Sequence, residues 1–429
     1  MKARQRNLSG RLPCIAFTLV VTHFVGPFSP ANAQKADYVI HISVDGLRPD
    51  AITALGPSNL PNFYRMRTEG VFTDNARTDY DYTVTLPNHT TQLTGRGVVG
   101  ATGHNWTSNS DPDPGDTLAS NKGSYIAGVF EVAHDNGLRT GEYASKSKFS
   151  LFATSWDATN GATDITGVDN GQNKIDVYVN TDNTADLVDT LITNMTAQPF
   201  HYVFLHLRDP DSVGHSDGWD VTPGSEYSNT IQTMDDRLGA IFSLIDGDPR
   251  FTNRTAIVLT ADHGGKGTDH SNVTLPEDYT IPFYVWGPGV ISGGDLYALN
   301  ASTRLNPGTN RPPYSNPVQP VRNGEAANVA LKLLGLGAVT GSTIDHAQDL
   351  VLTVPGPQDL RLTLVGTNAV LSFTTVSNLH YNVQGRNDLG SGSWSNLAIN
   401  IAGTGGVVTN IDVGAATQAQ RFYRVRPHF

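Results

Sequence analysis

Apolar strand-like runs alternate with amphipathic segments from residue 37 onward, and this alternation limits the possible folds more than any other feature. Such alternation is typical of a mostly parallel sheet that helices cover on both faces. We therefore predict an α/β fold in which a mostly parallel sheet is sandwiched between helices. The predicted strands are 38–44, 140–145, 201–207, 256–260 and 280–288, and the predicted helices are 59–70, 126–137, 227–245 and 324–337.

The pattern changes after residue 353. Beyond the proline-containing linker 354–359, short segments alternate apolar and polar residues at period two and are separated by Gly, Asn and Ser turns. This pattern is typical of half-buried strands and has no helical period. The sequence therefore predicts a main domain over 34–353 and a small C-terminal β-sandwich over 354–429.

The first 33 residues have the pattern of a secretory signal peptide. Basic residues precede an apolar run at 14–26, and Ala31-Asn32-Ala33 supplies the small-x-small motif of a cleavage site. The apolar run is shorter than the roughly 20 residues that span a bilayer. We predict cleavage after Ala33, export to the periplasm or the outside, and no transmembrane segment in the mature chain. An uncleaved anchor is the alternative.

The charge of the chain argues against one class of partner. Residues 1–33 contain four basic and no acidic residues, so their removal leaves 25 basic against 40 acidic residues. A broad basic face is the usual requirement for binding a nucleic-acid backbone, and we expect no binding of nucleic-acid duplexes. If the substrate is an anion, its positive partner must be local, and a bound metal ion is the usual source.

Three predicted strands are followed by carboxylates. Asp45 follows the first strand, Asp209 and Asp211 follow the strand at 201–207, and Asp262 with His263 follows the strand at 256–260. One such aspartate is usually a turn residue. Ligands bind beyond the carboxyl ends of strands in parallel sheets, and three strands that deliver carboxylates to the same edge indicate a site.

The spacing around these aspartates suits a metal. Asp211 and His215 are four residues apart, so a helix would place both on one face. A further histidine, His270, follows His263 by seven residues. Mixed Asp and His ligands favour zinc, although manganese or iron would also fit.

A threonine near a predicted helix start supplies a possible nucleophile. In TVTLPNHTTQLTGR (83–96), a helix that begins at Pro87 would place Thr85 just ahead of its N-terminus. The free N–H groups and the helix dipole would then face an anion. The alternative is a simple N-cap threonine.

Four blocks together resemble the alkaline phosphatase superfamily, and most closely its type I phosphodiesterase/nucleotide pyrophosphatase branch. The blocks are VDGLRPD (44–50), TLPNHTTQLTG (85–95), DPDSVGH (209–215) and TADHGGKGTDHS (260–271). The resemblance covers about 37–352. It implies an alkaline phosphatase-like fold and a two-zinc enzyme that hydrolyses phosphodiester or nucleotide pyrophosphate-type bonds in a small phosphate-ester substrate.

The resemblance also implies roles for individual residues. Thr85 would attack phosphorus to give a phospho-threonine intermediate, which is hydrolysed at the second metal. The implied ligands of one zinc are Asp45, Asp262, His263 and the hydroxyl of Thr85, and those of the other are Asp211, His215 and His270.

Two assignments depart from the family pattern. Asn109 follows His104 by five residues, as does the family asparagine that contacts the phosphoryl oxygen, but the loop is longer and Asn105 is its rival. His270 lies nearer to His263 than in the diesterase relatives, and His346 is its weaker substitute.

Other readings of the same blocks differ in substrate. A sulfatase would need a Cys or Ser at position 85 and an Arg at position 89, and neither is present. Thr-x-Pro-Asn-His is the diesterase style, whereas monoesterases of the superfamily use Ser with Arg or Thr with Lys and Asn. A phosphate monoesterase or phosphonate hydrolase is therefore the alternative, and a non-catalytic metal-stabilised binding protein is another.

The C-terminal segment resembles fibronectin type III-like modules of exported bacterial enzymes, including the closing QRFYRVR (420–426). This resemblance implies cell-surface or polysaccharide contact, with passive stabilisation as the alternative.

Overall fold

The computed structural model describes residues 35–164, 171–354, 357–377, 379–388 and 393–428. The predicted signal peptide, 1–33, lies outside the described residues. The strands in chain order are β1 (Tyr38–Val44), β2 (Val71–Arg77), β3 (Thr140–Ala144), β4 (Val177–Asn180), β5 (Tyr202–Leu207), β6 (Thr255–Thr260), β7 (Thr280–Trp286), β8 (Gly294–Asp295), β9 (Gln358–Val365), β10 (Asn368–Thr374), β11 (His380–Arg386), β12 (Ser395–Ala402), β13 (Val407–Asp412) and β14 (Phe422–His428).

Helices connect the strands of the first part of the chain. Short 3₁₀ turns at Ser147–Phe149 and Asn323–Glu325 lead directly into helices. The α-helices are α1 (Pro49–Leu55), α2 (Pro61–Glu69), α3 (Thr85–Thr94), α4 (Leu118–Lys122), α5 (Val129–His134), α6 (Ser150–Ser155), α7 (Thr184–Ala197), α8 (Asp209–Asp217), α9 (Glu226–Gly247), α10 (Pro276–Tyr279), α11 (Leu296–Leu299) and α12 (Ala326–Leu334).

Eight strands form one mixed sheet in the order β4-β3-β5-β1-β6-β7-β2-β8. The five strands from β4 to β6 run parallel to one another, and β7 is antiparallel to both β6 and β2. The predicted mostly parallel sheet between helices is confirmed. The antiparallel side was not predicted, because β2 (VFTDNAR) carries polar residues that hide its strand character.

The sheet order places the three aspartate-bearing strands side by side. β1 lies between β5 and β6, with Val44 opposite Leu207 and Ser43 opposite Thr260. The carboxyl ends of the three strands therefore lie at one level. Every residue of β5 and β6 is buried, as expected for strands covered on both faces.

Helix boundaries differ from the sequence prediction in two places that matter. α3 begins at Thr85, two residues before the predicted start at Pro87, so Thr85 belongs to the first turn of the helix. α5 covers only Val129–His134 of the predicted helix over 126–137. The predicted glycine stop after α12 is Gly335, which adopts the left-handed conformation of a helix C-cap (φ 74°).

The C-terminal part contains two three-stranded antiparallel sheets, with the orders β13-β10-β9 and β12-β11-β14. Buried side chains from β10 and β11 share a small core that includes Phe373, Tyr381 and Val383. The predicted β-sandwich is therefore confirmed. The finer resemblance to fibronectin type III modules and the domain boundary at 353/354 stay predictions.

Among the residues that the structure describes, a helix long and apolar enough to cross a membrane is not found.

Candidate active site

The carboxyl ends of β1, β5 and β6 bring three aspartates together. Asp45 directly follows β1, Asp262 follows β6 by two residues, and Asp211 lies in the first turn of α8, which begins two residues after β5. Asp45 and Asp262 are fully buried and Asp211 is nearly so. Burying three carboxylates so close together is costly unless cations compensate them.

Each aspartate has one oxygen held by the protein. Lys146 Nζ donates to Oδ2 of Asp45 at 2.5 Å and to Oδ2 of Asp211 at 2.6 Å. Oδ1 of Asp262 accepts from the backbone N–H of Gly46 at 3.1 Å. The other oxygen of each carboxylate is buried and finds no hydrogen-bond partner in the described part of the chain. These three oxygens are therefore available to a metal ion.

Three histidines are prepared for metal binding in a matching way. The Nδ1 atom of each ring contacts a backbone carbonyl, which can only accept a hydrogen bond. Nδ1 must therefore carry the hydrogen, and the lone pair of Nε2 is left for a ligand bond. The contacts are His215 to Thr268 O at 3.0 Å, His263 to Gly264 O at 2.8 Å and His270 to Thr83 O at 2.7 Å.

The free atoms form one group around His263. Its Nε2 lies 3.3 Å from Oδ1 of Asp45, 3.2 Å from Oδ2 of Asp262 and 3.5 Å from the hydroxyl of Thr85. Ligand bonds of about 2.0–2.1 Å in a tetrahedron place neighbouring ligand atoms about 3.3 Å apart. The distances from His263 Nε2 match this spacing. The ligand atoms of Asp45, Asp211 and His263 all lie within 4.8 Å of one another, so these three residues could hold a metal ion.

A second group forms around Asp211. Its Oδ1 lies 3.4 Å from Nε2 of His215 and 3.6 Å from Nε2 of His270. The two groups are adjacent, because the rings of His263 and His270 stack with centroids 3.6 Å apart. The His215 side chain is 46% exposed, whereas that of His263 is fully buried, so the second group opens toward solvent.

The electrostatics of the first group also favour a bound cation. Burial, followed by the charge of Asp45, raises the pKa of Asp262 well above its usual value. Burial opposes ionisation of Asp45, but the ammonium of Lys146, the hydrogen bond from His206 and the nearby His263 together hold the pKa of Asp45 well below its usual range. Burial, followed by repulsion from His270, lowers the pKa of His263 to about 3. His263 is therefore neutral near pH 7, which is the form that binds metal.

Thr85 occupies the first helical position of α3 and is buried. The N-cap is Val84 and makes no side-chain cap, so the N-cap alternative for Thr85 is wrong. The backbone N–H of Leu86 donates to Oδ1 of Asn109 at 2.9 Å, which places Asn109 beside Thr85. The positive end of the helix dipole favours an anion at this position.

The two rival residues lie elsewhere. Asn105 adopts the left-handed conformation (φ 61°), and its backbone carbonyl accepts from Asn121. His346 contacts Ser342 at 3.0 Å and lines a separate cavity of about 600 Å³. The structure therefore brings Asn109 and His270 to the site, and not Asn105 or His346.

Sequence reasoning missed two lysines at the site. Lys146 and Lys148 follow β3 at its carboxyl end, and Lys148 Nζ contacts the backbone carbonyl of Asn109. The strand-end rule that selected Asp45 would also have selected this Lys-Ser-Lys segment. Lysine is not a metal ligand, so the metal-ligand pattern does not include this segment, whose cations supply local positive charge instead.

Two buried histidines lie beneath the site. His89 Nδ1 donates to the carbonyl of Thr85 at 2.8 Å, and its Nε2 accepts from the hydroxyl of Ser43 at 2.9 Å. His206 Nε2 contacts Oδ2 of Asp45 at 3.0 Å. Both side chains support groups of the site from below.

The site combines a buried hydroxyl at a helix start, two adjacent Asp/His groups that could hold metal ions, and local lysines, and this arrangement suits chemistry on an anionic ester. The sequence profile of the family described as type I phosphodiesterase / nucleotide pyrophosphatase matches residues 39–281. The chain belongs to this family.

Individual relatives are similar over shorter stretches. GPI ethanolamine phosphate transferase 1 of Chaetomium globosum is 38% identical over 88 residues, which is 20% of this chain and 9% of that protein. The mouse protein of the same name is 32% identical over 88 residues, again 20% of this chain and 9% of the relative. The chain thus spans less than a tenth of these relatives.

Two solved structures align with the chain at low identity. A protein in complex with its substrate D-glucosamine-2-N,6-O-disulfate aligns with a TM-score of 0.51 and 11% identity over 84% of this chain and 90% of that chain. Murine ectonucleotide pyrophosphatase/phosphodiesterase 5, solved as an inactive variant with AMP, aligns with a TM-score of 0.49 and 16% identity over 73% of this chain and 100% of that chain. Because the identity is only 11%, the likeness to the glucosamine disulfate complex shows the fold alone.

Proposed function

We propose that this chain is a phosphoester hydrolase that uses two zinc ions and a Thr85 phospho-enzyme intermediate on phosphodiester or nucleotide pyrophosphate-type bonds. One observation carries the proposal. Three buried carboxylate oxygens that lack a hydrogen-bond partner in the described part of the chain lie close to three histidine Nε2 atoms, one of which is 3.5 Å from the Thr85 hydroxyl.

Two sets of residues would hold the metals. Asp45, Asp262, His263 and Thr85 form the first set, and Asp211, His215 and His270 form the second. When bound, the two ions would lower the pKa of the Thr85 hydroxyl and neutralise charge that develops on the phosphoryl group and the leaving oxygen.

The chain itself supplies nucleophile and alignment. The Thr85 hydroxyl gives its proton to solvent water as its oxygen forms a bond to phosphorus. The bond to the leaving oxygen breaks with its electron pair on that oxygen, which takes up a proton from water. A second water then attacks phosphorus from the solvent-facing side near His215 and gives up a proton, while the bond to Thr85 breaks and the threonine oxygen takes up a proton, which regenerates the hydroxyl. The contact of His89 with the Thr85 carbonyl holds the start of α3 in place.

Asn109 and the lysines would orient the phosphoryl group. The amide oxygen of Asn109 accepts from Leu86, so its amide nitrogen is the group that can donate to a phosphoryl oxygen. Lys148 contacts Asn109 and adds positive charge at the same edge. These groups would stabilise negative charge that grows in the transition state.

The same lysines favour a second candidate function. A phosphate monoester or phosphonate carries more negative charge than a diester, and Lys146 and Lys148 both lie at the site together with Asn109. Thr with Lys and Asn is the monoesterase style noted above. A monoesterase or phosphonate hydrolase is therefore the competing proposal.

The test pairs metal analysis with kinetics. Purified enzyme should hold about two zinc ions per chain. The Thr85→Ala variant should keep the metal and lose roughly 10³-fold or more in kcat, as expected when a nucleophile is removed. Thr94→Ala, at the other end of α3 where its hydroxyl bonds to Thr90 O, is the matched control and should stay active. Activity that survives in Thr85→Ala would mean that water attacks directly.

The substrate preference is read from the same preparations. Faster turnover of bis-p-nitrophenyl phosphate than of p-nitrophenyl phosphate would support the diesterase, and the reverse order would support the monoesterase. Full metal content without turnover of any phosphate, phosphonate or sulfate ester would support the non-catalytic alternative.

We also propose that the enzyme is exported after removal of residues 1–33. N-terminal sequencing of the mature protein should begin at Gln34, and a retained Met1 would contradict export by cleavage. For the C-terminal sandwich we propose contact with the cell surface or a polysaccharide. Equal binding to cells and glycans by the full chain and by a chain that ends near residue 353 would contradict that role.

A further inference from the structure

His206 is a fully buried histidine in β5, directly beneath the candidate metal centre. Its Nε2 lies 3.0 Å from Oδ2 of Asp45, although the two residues are 161 positions apart in the chain. This contact connects it to one of the candidate metal ligands.

Contacts on both ring nitrogens fix which one carries the hydrogen. Oδ2 of Asp45 belongs to a carboxylate and can only accept, so Nε2 carries the hydrogen and donates to it. Burial lowers the pKa of His206, so the ring is neutral near pH 7 and Nδ1 is left as an acceptor. The backbone N–H of Ser145 donates to Nδ1 at 3.3 Å, and the Ser145 hydroxyl, 3.0 Å from Nδ1, donates to the His206 carbonyl at 2.8 Å.

The plane of the His206 ring is fixed by packing. The Phe149 ring lies with its centroid 4.1 Å away, and the His89 ring meets His206 nearly edge-on at 4.9 Å. A buried ring wedged between two aromatic neighbours cannot rotate without disturbing the core. The Nε2–H bond therefore has a fixed direction toward Asp45.

The two donors to Oδ2 of Asp45 differ in rigidity. Lys146 reaches it with a flexible four-carbon chain and also contacts Asp211, so its ammonium can move when substrate or metal arrives. His206 cannot move in this way. With Oδ2 held by His206, Oδ1 of Asp45 is directed to the point where it lies 3.3 Å from Nε2 of His263.

We propose that His206 is a positioning residue: its Nε2–H holds Oδ2 of Asp45 and so turns Oδ1 toward the metal of the first group. This inference rests on the proposed metal-binding role of Asp45. Residues that orient ligands from behind typically contribute 10–100-fold in metal affinity.

The experiment measures zinc affinity by competition with a chelating dye, using the full chain and three histidine variants. His206→Leu keeps the bulk but cannot donate, and should bind zinc at one site 10–100-fold more weakly. His206→Gln can place an amide N–H near the Nε2 position and should recover most of the affinity. Activity of His206→Leu should return toward that of wild type at saturating zinc, because a positioning residue does not touch substrate.

His41→Leu is the matched control. His41 is also fully buried, lies in the neighbouring strand β1 and contacts Tyr202 rather than a candidate ligand. The His41→Leu variant should be less stable than wild type but bind zinc with unchanged affinity. Equal losses of affinity in His41→Leu and His206→Leu would mean a general effect of core damage and would overturn the inference, as would unchanged affinity in His206→Leu.

The outcomes separate this inference from the proposed function. If wild type holds no stoichiometric zinc, or if Asp45→Ala binds zinc as wild type does, the proposed function fails whatever His206 does. If His206→Leu does not fold, nitrogen NMR of ¹⁵N-histidine-labelled wild type tests the inference through the tautomer of His206. His206, assigned by its absence in His206→Gln, should be the tautomer with hydrogen on Nε2, and hydrogen on Nδ1 would overturn the inference.

Discussion

The α/β part and the C-terminal sandwich bury very different kinds of side chain. In the α/β part, charged and polar groups such as Asp45, His89, His206 and Asp262 are completely buried beneath the sheet edge. The sandwich core consists of a few apolar residues, and its strands and turns leave valines exposed, with Val407 at 67% and Val413 at 80%.

The difference shows what the site requires. Burying polar groups destabilises a fold unless they are paired, and the cost is offset only by a large apolar core. The α/β part has such a core on both faces of its sheet, whereas the sandwich does not. The candidate site therefore lies in the part of the chain whose apolar core is large enough to offset the burial of its polar groups.

The largest expected effect is the loss of activity in Asp262→Asn. The change removes a carboxylate from the first metal group, and kcat should fall roughly 10³-fold or more. Burial and the charge of Asp45 raise the pKa of Asp262, which means that a second negative charge is unfavourable there. A neutral amide should remove the repulsion between residue 262 and Asp45 and raise the melting temperature of the metal-free protein. The measurements are kcat, zinc content and thermal unfolding in EDTA, and retained activity would contradict the ligand role.

Next in size is the loss of stability in Arg304→Ala. The guanidinium of Arg304 contacts Glu325 at 3.0 Å, Asp345 at 2.9 Å and Asp349 at 2.9 Å, and the first two are buried. Removing it leaves buried carboxylates without a cation, which typically costs about 3–5 kcal/mol.

Urea unfolding tests this prediction against an exposed ion pair. Arg250→Ala breaks the exposed contact with Asp248 and should leave the unfolding midpoint unchanged. Similar unfolding midpoints for both variants would contradict the expected cost of leaving the buried carboxylates of the α/β part without a cation.

A core change in the sandwich should affect stability without affecting chemistry. Phe373→Ala removes a fully buried ring from the small core and should destabilise the sandwich by about 3 kcal/mol. Zinc content and kcat should be unchanged, because the candidate ligands belong to the α/β part. Loss of zinc in this variant would show that the sandwich supports the site. Val413→Ser, at an exposed position, is the control.

Acid should destabilise the α/β part through buried histidines outside the metal groups. Burial lowers the pKa of His104 to about 3 and that of His41 to about 3. The unfolded chain binds these protons from about pH 6.5 downward while the folded protein does not, so their contribution is present above pH 6.5 and is lost as pH falls toward 3. Each should reduce the free energy of unfolding by about 1.4 kcal/mol per pH unit in that window.

Urea titrations in EDTA at several pH values measure this loss. His104→Gln removes one titrating group and should flatten the dependence. An unchanged slope in His104→Gln would contradict the assignment to that histidine.

Much of the fold could be predicted from the sequence because its signals are local. The runs that became β1, β5, β6 and β7 are apolar and end in turn residues, and a parallel sheet requires such strands. The carboxylates that follow three of these strands could be placed at one sheet edge by the same rule. Helix starts were less certain, since the first turn of α3 is fixed by contacts of Thr85 and Leu86 that no local pattern contains.

The sequence by itself determined the sheet and the residues that reach its edge, because strand periodicity and strand ends depend on neighbouring residues. Only the tertiary structure decided which atoms of those residues are free. Lys146 meets Asp45 across 101 positions of chain, and His206 meets it across 161. These contacts occupy Oδ2 of Asp45 and leave Oδ1 facing His263. The orientation of a side chain depends on such contacts between distant parts of the chain, which no local sequence pattern contains.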